Sequence, residues 1–332
     1  MTAGLLPWRG RTLLITGLVL VTITTILMGV TTHWSMWITW RSIAGVASAW
    51  VFVATASLCI SRLTRAAAPP QFTGLVFAGV GSGIALAGFV CMALDLRGFH
   101  ASDTWCVLGA IAAIGTWLTR PLWRISADPV HPPPSPLPSS ADLGAWRLII
   151  SYGIFGFGYI LPATFLPAQA RALLQDVALF GWAWPVFGLA AAASTLICGA
   201  IPMRLPPRTL WILSQLVMAI GVALPALFPG LTSIVLAALC VGGTFMVITM
   251  VGMQQAQLVA GPRARSLIAN LTAAFAAGQL AGPIFFSLIN EHLGGTLSAA
   301  LYTGTAVLAL GTLLLLKPFA PTSNTAAEIN VQ

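Results

Sequence analysis

Residues 146–171, WRLIISYGIFGFGYILPATFLPAQAR, decide the fold. The run is apolar enough to cross a bilayer, yet Gly153, Gly156 and Gly158 sit in its middle and Pro162 and Pro167 follow. Gly and Pro each weaken a helix, and in hydrocarbon a freed backbone group must meet a neighbouring helix, a polar side chain or a wet cavity. Such a segment reads as a helix enclosed by others rather than as a lone anchor. Tyr152 and Tyr159 stand seven residues apart, about two turns, so they share one face and can present hydroxyls to a cavity. The glycines serve equally for close helix contact and the tyrosines for interfaces, so both readings stand at this point.

The remainder of the chain sets that segment in a membrane. Of 332 residues, 58% are hydrophobic and 7% charged, against about 25% charged in a soluble domain, and the mean hydropathy is +0.93. The formal net charge is +8, but its arginines are spread thinly between apolar runs, which is a topology signal and no nucleic-acid patch. The five cysteines form no Cys-x-x-Cys pair and read as free, packed thiols. Run 13–30 ends without a small-x-small cleavage pattern, so it reads as a span and not as a cleavable signal.

Ten segments have about the 20 apolar residues that a hydrocarbon core requires. They are 12–30, 37–60, 72–94, 104–123, 146–168, 178–201, 209–228, 231–253, 266–288 and 297–316. Cytoplasmic loops carry the excess of Arg and Lys. Arg9 and Arg11 precede span one, Arg62 and Arg65 follow span two, and Arg120, Arg124 and Arg147 surround the loop after span four. Arg204 and Arg208 follow span six, Arg263 and Arg265 follow span eight, and Lys317 ends span ten, while the intervening loops are nearly free of charge. The alternation predicts a multi-pass protein of the cytoplasmic membrane with both termini cytoplasmic. Residues 126–145, centred on HPPPSPLPSS, read as an extended cytoplasmic linker. They divide a four-helix half, 1–125, from a six-helix half, 146–318, with a tail at 319–332. Trp34, Trp37 and Trp40 open span two, and Trp182 and Trp184 open span six; both groups read as interfacial belts.

The two halves echo each other. Arg11-Thr12-Leu13 opens span one and Arg208-Thr209-Leu210 opens span seven; Leu86-Ala87-Gly88 in span three matches Leu280-Ala281-Gly282 in span nine. These matches predict a tandem duplication in which spans one to four pair with spans seven to ten. A complete six-plus-six arrangement then calls for two further spans before Met1.

Three stretches resemble a known family. RGRTLLITGLVL (9–20) resembles the tail of the loop motif between the second and third helices of the major facilitator superfamily. RSIAGVASAWVFV (41–53) resembles its fourth-helix motif, with Arg41 and Gly45 in place, and RSIAGVASAW with FGFGYILPATFLPA (155–168) resembles the YbfB/YjiJ-type branch. The resemblance implies an all-helical bundle of parallel six-helix repeats joined by a long cytoplasmic loop, here with the first two helices outside the sequence. It implies secondary transport of a small solute by alternating access. It also implies that the loop arginines, Arg9 and Arg11 with Arg204 and Arg208 as repeat equivalents, pin helix ends and favour the outward-facing state; plain positive-inside retention explains them as well. Span three lacks the Gly-Pro pair typical of antiporter members.

Within that frame the polar residues inside spans are the candidates for chemistry. Arg41 lies about 6 Å inside the outer end of span two. It can bind an anionic substrate, pair with a carboxylate of the two outlying helices, or snorkel outward among the tryptophans. Tyr152, Tyr159 and Gln279 are the other cavity candidates, and Arg41 inclines the substrate towards an organic anion, with efflux of hydrophobic compounds as the alternative. Gln215, Thr244, Thr249 and Asn270 read as helix-to-helix bonds. The stripes Gly79-Gly83-Ala87 and Ala274-Gly278-Gly282 read as helix contacts that slide or rock, and Gly45, Gly83, Gly156, Gly158 and Pro162 join the loop arginines as conformational residues. No Asp or Glu lies mid-span, so a coupling proton or other ion has no titratable site in the visible spans.

No GxxxxGK[ST], HExxH or GxSxG pattern and no metal spacing of Cys and His occurs, and Gly79–Gly83 has no preceding strand to make a nucleotide loop. The reading is therefore a transporter and not an enzyme, with no cofactor and no metal, and a small solute and the lipid bilayer as its partners. The rival reading is a shortened, non-transporting membrane protein that serves as an interaction partner.

Overall fold

The computed structural model describes residues 10–123, 142–173, 182–200, 205–228, 230–293 and 296–316. Every regular element among them is helical, and ten helices are long and apolar enough to cross a membrane. In chain order these are α1 (Gly10–Val30), α2 (Trp34–Arg65), α3 (Pro70–Asp95), α4 (Ala101–Leu118) and α5 (Asp142–Leu173). After them come α6 (Ala183–Ala200), α7 (Pro207–Leu227), α8 (Leu231–Ala260), α9 (Ala264–Leu293) and α10 (Leu297–Leu316). The expected linker centre and the tail lie outside the described residues.

Local chemistry sets the helix ends. Pro70 and Pro207 occupy the first helical position of α3 and α7, where a missing N–H costs nothing and the fixed φ is already helical. Asp103 accepts a bond from the backbone N–H of His100 at 3.1 Å and caps α4. Gly261, at φ 48°, makes the sharp connection from α8 to α9, a conformation that a side chain would strain. Several boundaries differ from the sequence reading: α5 begins at Asp142, inside the expected linker, and α8 runs past residue 253 to Ala260. Span two extends past residue 60 to Arg65, because Arg62 and Arg65 suit the negative end of the helix dipole. Span four stops at Leu118, and Arg120–Trp123 form a separate turn, because Pro121 has no N–H to continue the ladder.

Helix neighbours repeat as the sequence echo predicts. The main partners of α1 are α2 and α4; those of α7 are α8 and α10. The central helix is α5, which packs on α9, α10, α8 and α7. Leu148, Ser151, Phe155 and Leu161 on it are completely buried. It runs unbroken through Gly153, Gly156, Gly158 and Pro162 because its neighbours supply the stability that its own residues lack. Ser151 Oγ donates to the Gly311 carbonyl at 3.3 Å, and Arg147 Nε donates to the Leu314 carbonyl at 2.8 Å, tying α5 to α10 at two levels.

The most extensive helix pair among the described residues is α3 with α6. Its seam is built from small residues: a Cβ on Gly74 would strike the Thr195 carbonyl, one on Gly81 the Ala192 amide, and one on Gly88 the ring of Pro185. This corrects the expected stripe on α3. Gly79 and Gly83, one helix face away, have no atom within 4 Å of an added Cβ. The stripe on α9 is gripped, with Gly278 against the Gly153 carbonyl and Gly282 against Ile160. Sequence spacing alone cannot say which of two glycine faces on α3 meets a neighbour.

Candidate functional site

The site grows from one face of α5. Tyr152, Phe155 and Tyr159 follow at intervals of three and four residues and so lie in line. Around Tyr159 gather Phe245 of α8, Phe275 of α9 and Phe187 of α6, with ring centroids at 4.4, 6.0 and 6.1 Å. Phe155 completes the group, 5.0 Å from Phe275 and 6.3 Å from Tyr159. These separations lie in the range where aromatic pairs attract beyond their buried area. Four helices thus converge on one junction of rings.

Glycine positions make the junction possible. Gly156 brings α5 so close to α9 that an added Cβ would meet the Phe275 carbonyl. Gly242 leaves the space that Phe187 fills, with Cδ2 3.1 Å from a virtual Cβ, and Gly252 leaves room for the Tyr152 ring at 2.9 Å. Small residues let the helix axes approach, and the rings of neighbouring helices fill the hollows.

The two tyrosines differ in their ring neighbours. Tyr152, 2% exposed, stands edge-on to Trp211 at 5.8 Å. Below it Trp211 Nε1 donates to Gln215 Oε1, and Gln215 Nε2 donates to the Leu308 carbonyl, both at 2.9 Å. Tyr159, 7% exposed, has no hydrogen-bond partner among the described residues, and its oxygen is not one of the sealed polar atoms.

The remaining predicted residues are dispersed. Gln279 is half-buried on α9, one turn from Phe275 and on the same face. Arg41 is exposed, and its guanidinium carbon lies 4.9 Å from the Trp105 ring centroid on α4, a cation–π pair that the sequence does not announce. Gly45 faces open space, Gly158 faces Leu308 of α10, and Pro162 is buried within α5. Arg11 is exposed and Arg208 lies near Arg147; Arg9 and Arg204 lie outside the described residues. Thr244 and Thr249 bond carbonyls of their own helix, and Asn270 is exposed. Among the described residues no three of His, Cys, Asp and Glu gather as a metal site would require.

With the geometry in place, the comparisons with known proteins can be read. A model of the family described as the uncharacterised MFS-type transporter YbfB matches residues 2–316. The chain belongs to this family. The transporter family and the ten apolar helices make it a multi-pass membrane protein of the major facilitator type. Its structure is similar to the crystal structure of the human organic anion transporter MFSD10 (TETRAN), with a TM-score of 0.69 and 15% sequence identity. The match covers 92% of this chain and 77% of that one; at such identity it speaks for the fold. A search of curated proteins finds no match.

Phe155, Phe187, Phe245 and Phe275 escape the sequence reading of this family member. Phenylalanine is ordinary in an apolar span, and only the Phe155–Tyr159 spacing hints at a shared face. The convergence of four helices is a tertiary fact.

Proposed function

We propose that the chain is a secondary transporter that carries a small solute across the cytoplasmic membrane by alternating access, with both termini on the cytoplasmic side. The observation that carries this reading is the α3–α6 seam. It joins the first four helices to the last six through glycine backbones and small side chains, the kind of surface over which packed helices shear. Substrate meets Arg41, Tyr152, Tyr159 and Gln279. Motion is allowed by Gly45, Gly83, Gly156, Gly158 and Pro162, with Arg9, Arg11, Arg204 and Arg208 holding helix ends. Arg41 supports an organic anion, and the ring junction supports a hydrophobic compound. A proton or another ion drives the cycle. Among the described residues Asp95, Asp103, Asp142 and Glu291 all stand in first or last helical turns, so coupling does not use a carboxylate in the middle of these helices.

The test is counterflow in proteoliposomes containing the purified chain, with labelled organic anions and hydrophobic compounds on the trans side. Saturable exchange is the expected result, and exchange no faster than in empty liposomes for every solute overturns the reading. A second reading, a membrane protein that docks another apolar helix instead of transporting, is favoured by the open glycines Gly45, Gly79 and Gly83.

A further inference from the structure

We infer that the junction of α5, α6, α8 and α9 binds compounds with a planar aromatic ring system bearing one hydrogen-bonding group, seated with that group on the Tyr159 hydroxyl. The inference rests on the transporter reading for its physiological use and on geometry for the site itself.

The hydroxyl is the first ground. Tyr159 is more than nine-tenths buried, no described residue bonds its oxygen, and the oxygen keeps accessible surface. A hydroxyl in apolar surroundings is costly unless something polar reaches it. Among the described residues no acceptor or donor meets the Tyr159 hydroxyl.

The rings are the second ground. Phe245 lies against Tyr159 nearly parallel, at 17° and 4.4 Å, so nothing enters between those two. Phe245 and Phe275 are nevertheless only half-buried, so part of each ring is left for a further partner. Ring surfaces offset or edge-on to one another favour a flat aromatic body over a saturated one of equal size. The ring neighbours of Tyr159 carry no charge, and the acidic side chains among the described residues stand at helix ends. The site therefore reads ring system and one neutral hydrogen bond, and a charge on the ligand has to lie outside it.

The experiment uses the purified chain in lipid nanodiscs and tritiated 2-naphthol, counted by scintillation proximity, with empty nanodiscs subtracted because naphthol partitions into lipid. Saturable binding is expected. Decahydro-2-naphthol, with the same hydroxyl on saturated rings, should compete at least tenfold less well. Tyr159→Phe keeps the ring and removes one hydrogen bond, and should weaken binding about tenfold, while Tyr302→Phe, on the exposed side of α10 with its hydroxyl on the Ala226 carbonyl, should change it less than twofold. Phe275→Leu, which keeps bulk without the ring, should weaken it several-fold. Absence of saturable binding, equal competition by the saturated alcohol, or unchanged affinity in Tyr159→Phe overturns the inference. Binding is scored without flux, so its failure leaves a transporter of other solutes standing, and failure of counterflow leaves the site standing.

Discussion

Tyr159 of α5 and Phe245 of α8 stack with ring centroids 4.4 Å apart and planes 17° from parallel. This pair joins the central helix to the most deeply buried one, since α8 has a larger share of its apolar window buried than any other of the ten helices. Around it the glycines of α5, α8 and α9 act as sockets, and the structure makes different demands on glycines that look alike in sequence.

The first prediction compares two such glycines. Gly278→Ala places a methyl on the Gly153 carbonyl and forces α5 from α9; overpacking of this kind costs about 1–3 kcal/mol. Gly83→Ala meets open space and should be neutral or stabilising by up to about 1 kcal/mol through helix propensity. Thermal unfolding in nanodiscs separates them, and equal behaviour of the two would refute the described α5–α9 seam.

Gln215 bridges Trp211 and the Leu308 carbonyl inside the bundle. Gln215→Leu leaves the Trp211 indole N–H without its acceptor and removes a second bond from the Leu308 carbonyl, and should lower stability by about 1–3 kcal/mol. The double variant Trp211→Phe with Gln215→Leu should cost less than the sum of the two single changes, because each removes a partner of the other.

Arg147 donates through both Nε and Nη2 to the Leu314 carbonyl in the last turn of α10. A cation at a helix C-terminus contributes about 0.3–1 kcal/mol through the dipole alone. Arg147→Gln should speed amide exchange in the last turns of α10 while leaving α1 to α4 unchanged. Arg147→Lys should recover only part of the protection, because an ammonium is a point charge and lacks the guanidinium fork. Uniform exchange across both variants would remove this tie from the account.

For Arg41, uptake by proteoliposomes decides between collecting anions and bracing Trp105. In the first role Arg41→Gln lowers uptake of organic anions at low concentration about tenfold, since hydrogen bonds to charged groups contribute about 1.5–3 kcal/mol. In the second, uptake is unchanged and the cation–π contact is worth about 0.5–1 kcal/mol of stability.

Orientation has its own measurement. Single cysteines replacing Arg65 and Asp103, in a background freed of the five native thiols, should react with an impermeant maleimide from opposite sides of sealed inner-membrane vesicles. Labelling of both from one side would overturn the placement of the termini.

Much of this is legible in the chain itself. Apolar run lengths give ten helices, because hydrocarbon admits only segments that satisfy their own backbone. Arginine spacing gives the expected sidedness, and the short echoes give the pairing of α1 and α7 that the helix neighbours repeat. Tyr152 and Tyr159 are found by their spacing, and both lie in the ring junction. Arg41 is found by its position, but its partner Trp105 is not, because 64 residues of sequence separate them.

What the sequence by itself determined is therefore what depends on one helix at a time: that it spans, which residues share its face, and the family to which its motifs belong. Which faces meet belongs to the tertiary structure. A span in hydrocarbon is apolar on every side, so no contrast of polarity marks its inner face, and contacts are chosen by shape, glycine hollow against ring. Gly83 and Gly278 occupy stripes of the same spacing, yet one faces open space and the other the Gly153 carbonyl. Tyr152 and Tyr159 occupy one line on one helix, yet Tyr152 stands edge-on to Trp211 of α7 while Tyr159 stacks on Phe245 of α8.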